Sequence, residues 1–110
     1  MDIQELTEEM HRFVRAQGWY KPGSSRPQTL RNLAISLNLE ASEVLEHFQW
    51  GDTVAGIDDL ADELADVTLY LLQIASVAGI NLEEAVHKKL KVNYQRTWNH
   101  QPKQNRGDED

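Results

Sequence analysis

Two segments of the chain set carboxylates one helical turn apart. Glu40-x-x-Glu43 lies in LNLEASEVLEHFQW, and Glu63-x-x-Asp66 lies in DDLADELADVTLYLL. Both segments have strong helix character. Four carboxylates gathered in a largely apolar bundle repel one another and lose hydration, a costly arrangement unless cations sit between them. The pattern predicts helices packed around magnesium, and magnesium held by carboxylates is usually a sign of phosphate chemistry.

The helices can be read from apolar spacing and punctuation. Helix one is predicted over about 3–17, with Ile3, Leu6, Met10, Phe13 and Val14 three or four apart, and Gly18 ends it. Residues 19–26 hold Pro22, Gly23 and two serines, a loop signature. Helix two is predicted from about Thr29 to Gln49, before the break at Gly51-Asp52. Helix three starts near Ile57 or Asp58, where aspartates suit the positive end of the helix dipole, and runs to Ala78 with Gly79 as its cap. Asn81, with Glu84 three residues on, begins helix four, which runs to about Trp98. The fold class is all-α, with one domain over 1–100 and a polar tail over 101–110 that is predicted to be disordered.

On the helix wheels the polar residues separate. In helix two, Leu30, Leu33, Ala34, Leu37, Ala41, Val44, Leu45 and Phe48 form one face. Glu40 borders it, Glu43 lies about 60° further out, and Glu46 about 60° beyond. Ile35 and Leu39 form a second apolar strip near the opposite side, so helix two needs two partners. Helix three is apolar almost all round, with Leu60, Leu64, Val67, Leu71, Ile74 and Ala78 as its main face. Glu63 falls within that arc, between Tyr70 and Val67, and Asp66 lies just outside. A solvated charge run would sit opposite the apolar face. Asp58, Asp59 and Asp62 fit that ordinary role.

Helix four repeats the pattern with the opposite sign. Leu82, Ala85 and Val86 mark its inward face, and Lys89, Asn93 and Arg96 continue it. They could reach acidic residues on a neighbouring helix, or line a pocket for a polyphosphate and a base or sugar. Trp19, Trp50 and Trp98 lie at helix ends, where packing with a hydrogen-bonding edge is the usual role. Trp19 and Trp50 are also candidate substrate contacts. Tyr70 lies one turn after Asp66, where it would stand beside a metal-bound ligand. Glu8-x-x-His11 and Glu84-x-x-His87 match an element of di-iron bundles, but the wheels set them away from the apolar faces, against a metal centre in the core.

Composition narrows the function. The chain has 110 residues, 40% hydrophobic and 26% charged, and no cysteine, so disulfides and thiolate metal sites are excluded. A net charge of −7 argues against a nucleic-acid polymer as partner. It does not exclude a small nucleotide, because bound magnesium can reverse the local sign of a site. No apolar run approaches the roughly 20 residues of a membrane span, and the acidic N-terminus lacks the features of a secretory signal. The expected compartment is the cytoplasm, with no membrane partner.

Taken in order, Glu40-Ala-Ser-Glu43-Val-Leu-Glu46, Phe48-Gln49-Trp50, Asp62-Glu63-Leu-Ala-Asp66-Val67, Tyr70 and Lys89-x-x-x-Asn93-x-x-Arg96 resemble the MazG-like, all-α nucleoside triphosphate pyrophosphohydrolases, and look most like short single-domain members related to dCTP pyrophosphatase. The match covers about 5–97. The resemblance implies a four-helix fold in an intertwined dimer, often paired into a tetramer. It implies Glu40, Glu43, Glu63 and Asp66 as ligands of magnesium, with manganese as a substitute. It implies Lys89 and Arg96 at the triphosphate, Asn93 at the nucleoside and Tyr70 against the sugar. The expected reaction cleaves between the α- and β-phosphates of a (d)NTP, the deoxy form preferred, in nucleotide-pool cleaning. Glu43 and Glu46 are the candidate general bases. The loop Lys21-Pro-Gly-Ser-Ser-Arg26-Pro has no histidine where dCTP enzymes can use one, which leaves base preference open. The rival reading is a non-catalytic, nucleotide-binding helical oligomerisation module. Loss of the carboxylates would favour it, and all four are present.

Overall fold

Asp2 opens the first helix with a reciprocal cap. Its side chain accepts from the Glu5 N–H, and the Glu5 carboxylate accepts from the Asp2 N–H. This satisfies two donors that a helix start leaves unpaired. The structure is a computed structural model that describes residues 1–54 and 56–99, the side chains of 97–99 excepted. It contains α1 (Ile3–Ala16), α2 (Leu30–Glu46), α3 (Ile57–Val77) and α4 (Leu82–Asn99), with no strand among the described residues. The all-α, four-helix expectation holds. The predicted tail over 101–110 and the Trp98 side chain lie outside the described residues.

The helix ends follow their punctuation. Gly18 adopts φ 76°. It lets the Gly18 N–H reach Arg15 O at 2.9 Å and the Trp19 N–H reach Val14 O at 3.2 Å, the two bonds of a Schellman end. Thr29 caps α2 through the Asn32 N–H, and Asn81 Oδ1 accepts from the Glu84 N–H at 3.0 Å. The α-helical part of α2 stops at Glu46, short of the predicted Gln49. His47, Phe48 and Gln49 instead donate to carbonyls three residues back, so the chain tightens into a narrower turn. Among the described residues, no single helix is long and apolar enough to cross a membrane.

Contacts group Met1–Ile80 as one unit and the chain from Asn81 as another. In the first unit α3 is central, and both α1 and α2 pack on it. The buried apolar core is Met10 and Val14 of α1, Leu33 of α2, and Leu72 and Ala75 of α3. It differs from the predicted faces. Leu64, on the expected main face of α3, is 50% exposed, and Leu71 is 43% exposed. The reason is where α1 sits. His11 of α1 meets Ser76 at the edge, and Leu72, Gln73 and Ala75 are buried, so their side of α3 is the covered one. On α2 the second strip is exposed, with Ile35 at 46% and Leu39 at 59%.

Candidate functional site

At one end of the α2–α3 pair, four carboxylates share a small volume. Glu40 is partly buried, and its carboxyl is held above the ordinary carboxylate range. Burial is the largest cause, followed by the charges of Glu43, Asp66 and Glu63. A side-chain contact with Asp66 is the smallest of the causes. The structure therefore brings together the four residues singled out in the sequence. The i, i+3 spacing puts two of them on neighbouring turns of each helix, and packing brings the two turns together.

A fifth residue joins this cluster. His47, the C-cap of α2, donates from Nε2 to Glu63 Oε1, and both side chains are largely covered. The sequence reading passed over His47, yet a signal was present. It follows Glu40 by seven residues, two helical turns, and so shares its stripe. Among the described residues, no three Asp, Glu or His side chains are already arranged as a metal cage. Glu63 is engaged by His47 and Glu40 by Asp66. The donor set still fits a hard divalent cation. It is all carboxylate oxygen, borne on two packed helices, and its mutual repulsion is what such a cation relieves.

Next to the carboxylates, α3 carries Asp66, Tyr70 and Gln73 at i, i+4 and i+7, one stripe leading away from the cluster. Two cavities lie along it. The larger, about 310 Å³, is lined by Trp19, Arg26, Gln28, Asn32, Leu33 and Tyr70 among others. The smaller, about 170 Å³, includes Phe13, Trp19, Asp66, Tyr70 and Gln73. Trp19, Gln28 and Tyr70 line both. Trp19 is set by the Schellman end of α1. Its ring meets Phe13 edge-on at 5.7 Å, and the Arg26 guanidinium lies over it at 5.2 Å from the ring centre.

A polar network holds the loop that carries Trp19 and Arg26. His11 Nδ1 lies 2.6 Å from the Tyr20 hydroxyl, and His11 Nε2 lies 2.7 Å from that of Ser76. Burial, then the Arg15 charge, lowers the His11 pKa and favours the neutral ring. Such a ring donates at one nitrogen and accepts at the other. Gln73, 3% exposed, donates from Nε2 to Tyr20 Oη at 3.1 Å and to Gln28 Oε1 at 2.8 Å. With His11 engaged here, Glu8-x-x-His11 is structural. Gln73 was not singled out in the sequence, although a polar side chain on a helix that is apolar almost all round carried the same signal as Glu63.

Glu43 and Glu46 are exposed on α2, open to solvent. Trp50 is 90% exposed. Lys89, Asn93 and Arg96 all lie on α4 in the second unit, Lys89 and Arg96 exposed and Asn93 partly covered.

The chain is similar to known proteins in sequence and in fold. The chain is 37% identical over 75 residues to dCTP pyrophosphatase 1 of Mus musculus, which covers 60% of this chain and 44% of that protein. It is 35% identical over 71 residues to a dATP/dGTP diphosphohydrolase of Salmonella phage PMBT28, covering 64% of this chain and 21% of that one. The chain thus spans less than half the length of these curated relatives. The crystal structure of a pyrophosphatase from Archaeoglobus fulgidus superposes with a TM-score of 0.69 at 33% identity, covering 84% of this chain and 89% of that one. Residues 35–108, which include both acidic pairs and the Lys89, Asn93 and Arg96 run, match the MazG-like family, and the chain belongs to it.

Proposed function

We propose that the chain is a magnesium-dependent nucleoside triphosphate pyrophosphohydrolase that converts deoxynucleoside triphosphates to the monophosphate and pyrophosphate. The observation that carries this is the convergence of Glu40, Glu43, Glu63 and Asp66 beside cavities that begin at Asp66 and Tyr70. The relatives named for dCTP and for dATP/dGTP support a deoxynucleotide substrate.

Each residue has a task in this reading. Glu40, Glu43, Glu63 and Asp66 would hold the cation, and His47 orients Glu63. Magnesium, or manganese in its place, would supply Lewis acidity toward phosphate oxygens and toward water. Glu43 or Glu46, both open to solvent, would take the proton of the attacking water. Lys89 and Arg96 are the cations assigned to the triphosphate, where they would offset charge on the departing pyrophosphate. Asn93 is assigned to the nucleoside, Trp19 and Trp50 to substrate contact, and Tyr70 to the sugar.

The working form in this reading is a homodimer or homotetramer. The exposed Ile35 and Leu39 strip on α2, with Leu64 and Leu71 on α3, leaves apolar surface of the kind that marks an interface. Light scattering showing a stable monomer at micromolar concentration would overturn this part.

The test of the activity is pyrophosphate release from a panel of deoxy- and ribonucleoside triphosphates, with and without magnesium. Magnesium-dependent release from deoxynucleotides is expected. No release from any triphosphate would refute the enzyme reading and leave the nucleotide-binding module.

A further inference from the structure

The loop between α1 and α2 is held more firmly than a connector requires. Both protons of the buried Gln73 amide are engaged, one by Tyr20 and one by Gln28. Gln28 passes the constraint on, since its Nε2 donates to Arg26 O at 2.7 Å. The Arg26 N–H donates to Ser24 Oγ at 2.9 Å, and Asn32 Nδ2 donates to Pro27 O at 3.0 Å. The backbone is therefore fixed on both sides of Arg26, and the chain of bonds ends on a side chain buried in α3. The relay from Gln73 through Gln28 ends at the backbone of one exposed residue, Arg26.

That residue is a guanidinium at the rim of the larger cavity. Among the described residues, no carboxylate forms an ion pair with it. Its neighbour is the Trp19 ring, which it faces. A guanidinium carries its N–H donors in a planar fork that matches two adjacent acceptors. The other lining groups discriminate less. Both ends of the Gln28 amide are engaged, as is Asn32 Nδ2. The Ser25 and Ser36 hydroxyls can donate or accept.

The cavity reaches the carboxylates by way of Tyr70, which also lines the smaller cavity beside Asp66. With phosphates at the carboxylates, the nucleoside end would pass Tyr70 toward the larger cavity. We propose that Arg26 reads the base there. It selects nucleotides whose base presents two adjacent acceptors, namely guanine or cytosine, and Gln73 is its positioning residue. This rests on the triphosphate reading above. A donor fork pairs with guanine through O6 and N7. Cytosine offers the same pattern at O2 and N3. Adenine sets an amino donor beside N7, and thymine sets an N–H between its two carbonyls, so each gives the fork one acceptor and one clash.

The experiment measures kcat/KM for dGTP, dCTP, dATP and dTTP with magnesium, in wild type, Arg26→Lys and Gln73→Leu. Wild type should favour one or both of dGTP and dCTP over dATP and dTTP by roughly tenfold to a hundredfold. The dGTP and dCTP arms separate the two bases. Arg26→Lys keeps the charge and loses the fork, so its loss should be larger for the favoured bases. Gln73→Leu should narrow the same ratio through KM, with kcat changed less. A lowered kcat at unchanged ratio would make Gln73 merely structural. If Gln73→Leu fails to fold, Gln28→Leu breaks the relay from the loop side. Equal use of all four bases, or an equal loss on all four in Arg26→Lys, would overturn the proposal with hydrolysis intact. If wild type hydrolyses none of them, the activity fails separately. Equilibrium binding of the four deoxynucleoside monophosphates, read by tryptophan fluorescence in wild type and Arg26→Lys, then decides the base preference by the same ratio.

Discussion

The two ends of the α3 stripe solve opposite problems. At the Glu63–Asp66 end, like charges are packed around Glu40 and raise its pKa, with His47 bonded to Glu63 as partial relief. At the Gln73 end, the side chains are joined by hydrogen bonds between uncharged groups, from Tyr20 to Gln28. One end is left short of positive charge, and the other is a linked neutral network. The contrast teaches that unsatisfied like charge leaves room for a cation, whereas paired neutral groups fix the position of the loop they hold.

The strongest way to break the contrast is Glu63→Gln. It keeps the shape and removes the charge, so hydrolysis should fall by at least about a hundredfold with the fold intact. Magnesium should raise the melting temperature of wild type and not of the variant. Near-normal turnover in the variant would defeat the ligand assignment. Tyr70 stands at the join of the two ends. In the proposed reading its ring would leave an added 2′-hydroxyl without room or partner. The preference for deoxy- over ribonucleotides should be on the order of a hundredfold, and Tyr70→Ala should narrow it. Matched dNTP and NTP kinetics in both proteins provide the check, and equal efficiency in wild type would remove this role.

At the matched end, Gln73→Leu leaves Gln28 Oε1 without its donor. Urea unfolding should show a loss of about 1–3 kcal/mol. A neutral result would mean that water replaces the amide there. The smallest effect is in the pH response, where the two ends have opposite signs. The folded pKa of Glu40 is raised, so without divalent cations its contribution falls away as pH rises from its ordinary 4.5 through the raised value. Glu40→Gln should thus gain a degree or two in Tm at pH 7, and less near pH 4. The His11 pKa is lowered, so its stabilising contribution is present above 6.5 and drains as pH falls toward the folded value. His11→Asn should flatten wild type's decline between pH 7 and 5. Parallel pH curves for wild type and both variants would show that neither group is coupled to folding.

Much of this contrast was legible in the sequence, and for a physical reason. Helix ends are written locally. Gly18, Thr29, Gly79 and Asn81 each act through bonds to residues a few positions away. The acidic pairs were legible because a carboxylate near an apolar stripe conflicts with its neighbours on the same helix. His47 and Gln73 were less visible because both are neutral-capable and their partners lie 16 or more residues away, at Glu63, Tyr20 and Gln28. Each still shared a stripe with a marked carboxylate, His47 with Glu40 and Gln73 with Asp66. The covered side of α3 was not legible, because a helix that is apolar almost all round does not say which neighbour covers which side. That choice belongs to the packing of α1, in which Met10 and Val14 are the buried residues.

The Schellman end at Gly18 carries a further consequence, one of handedness. A Cβ added there would meet nothing nearer than Lys21 Cδ at 3.9 Å, so there is room for a side chain. The obstacle is the backbone at φ 76°, which an L residue occupies at a cost of roughly 1–2 kcal/mol. The mirror-image residue has no such penalty. A chemically synthesised chain with D-alanine at this position would hold the same turn, lose less freedom on folding than glycine does, and keep Trp19 where it stands. L-alanine would press that turn to unwind and carry the cavity wall with it. The orientation of the aromatic wall is thus fixed by a residue that has no side chain, through chirality alone.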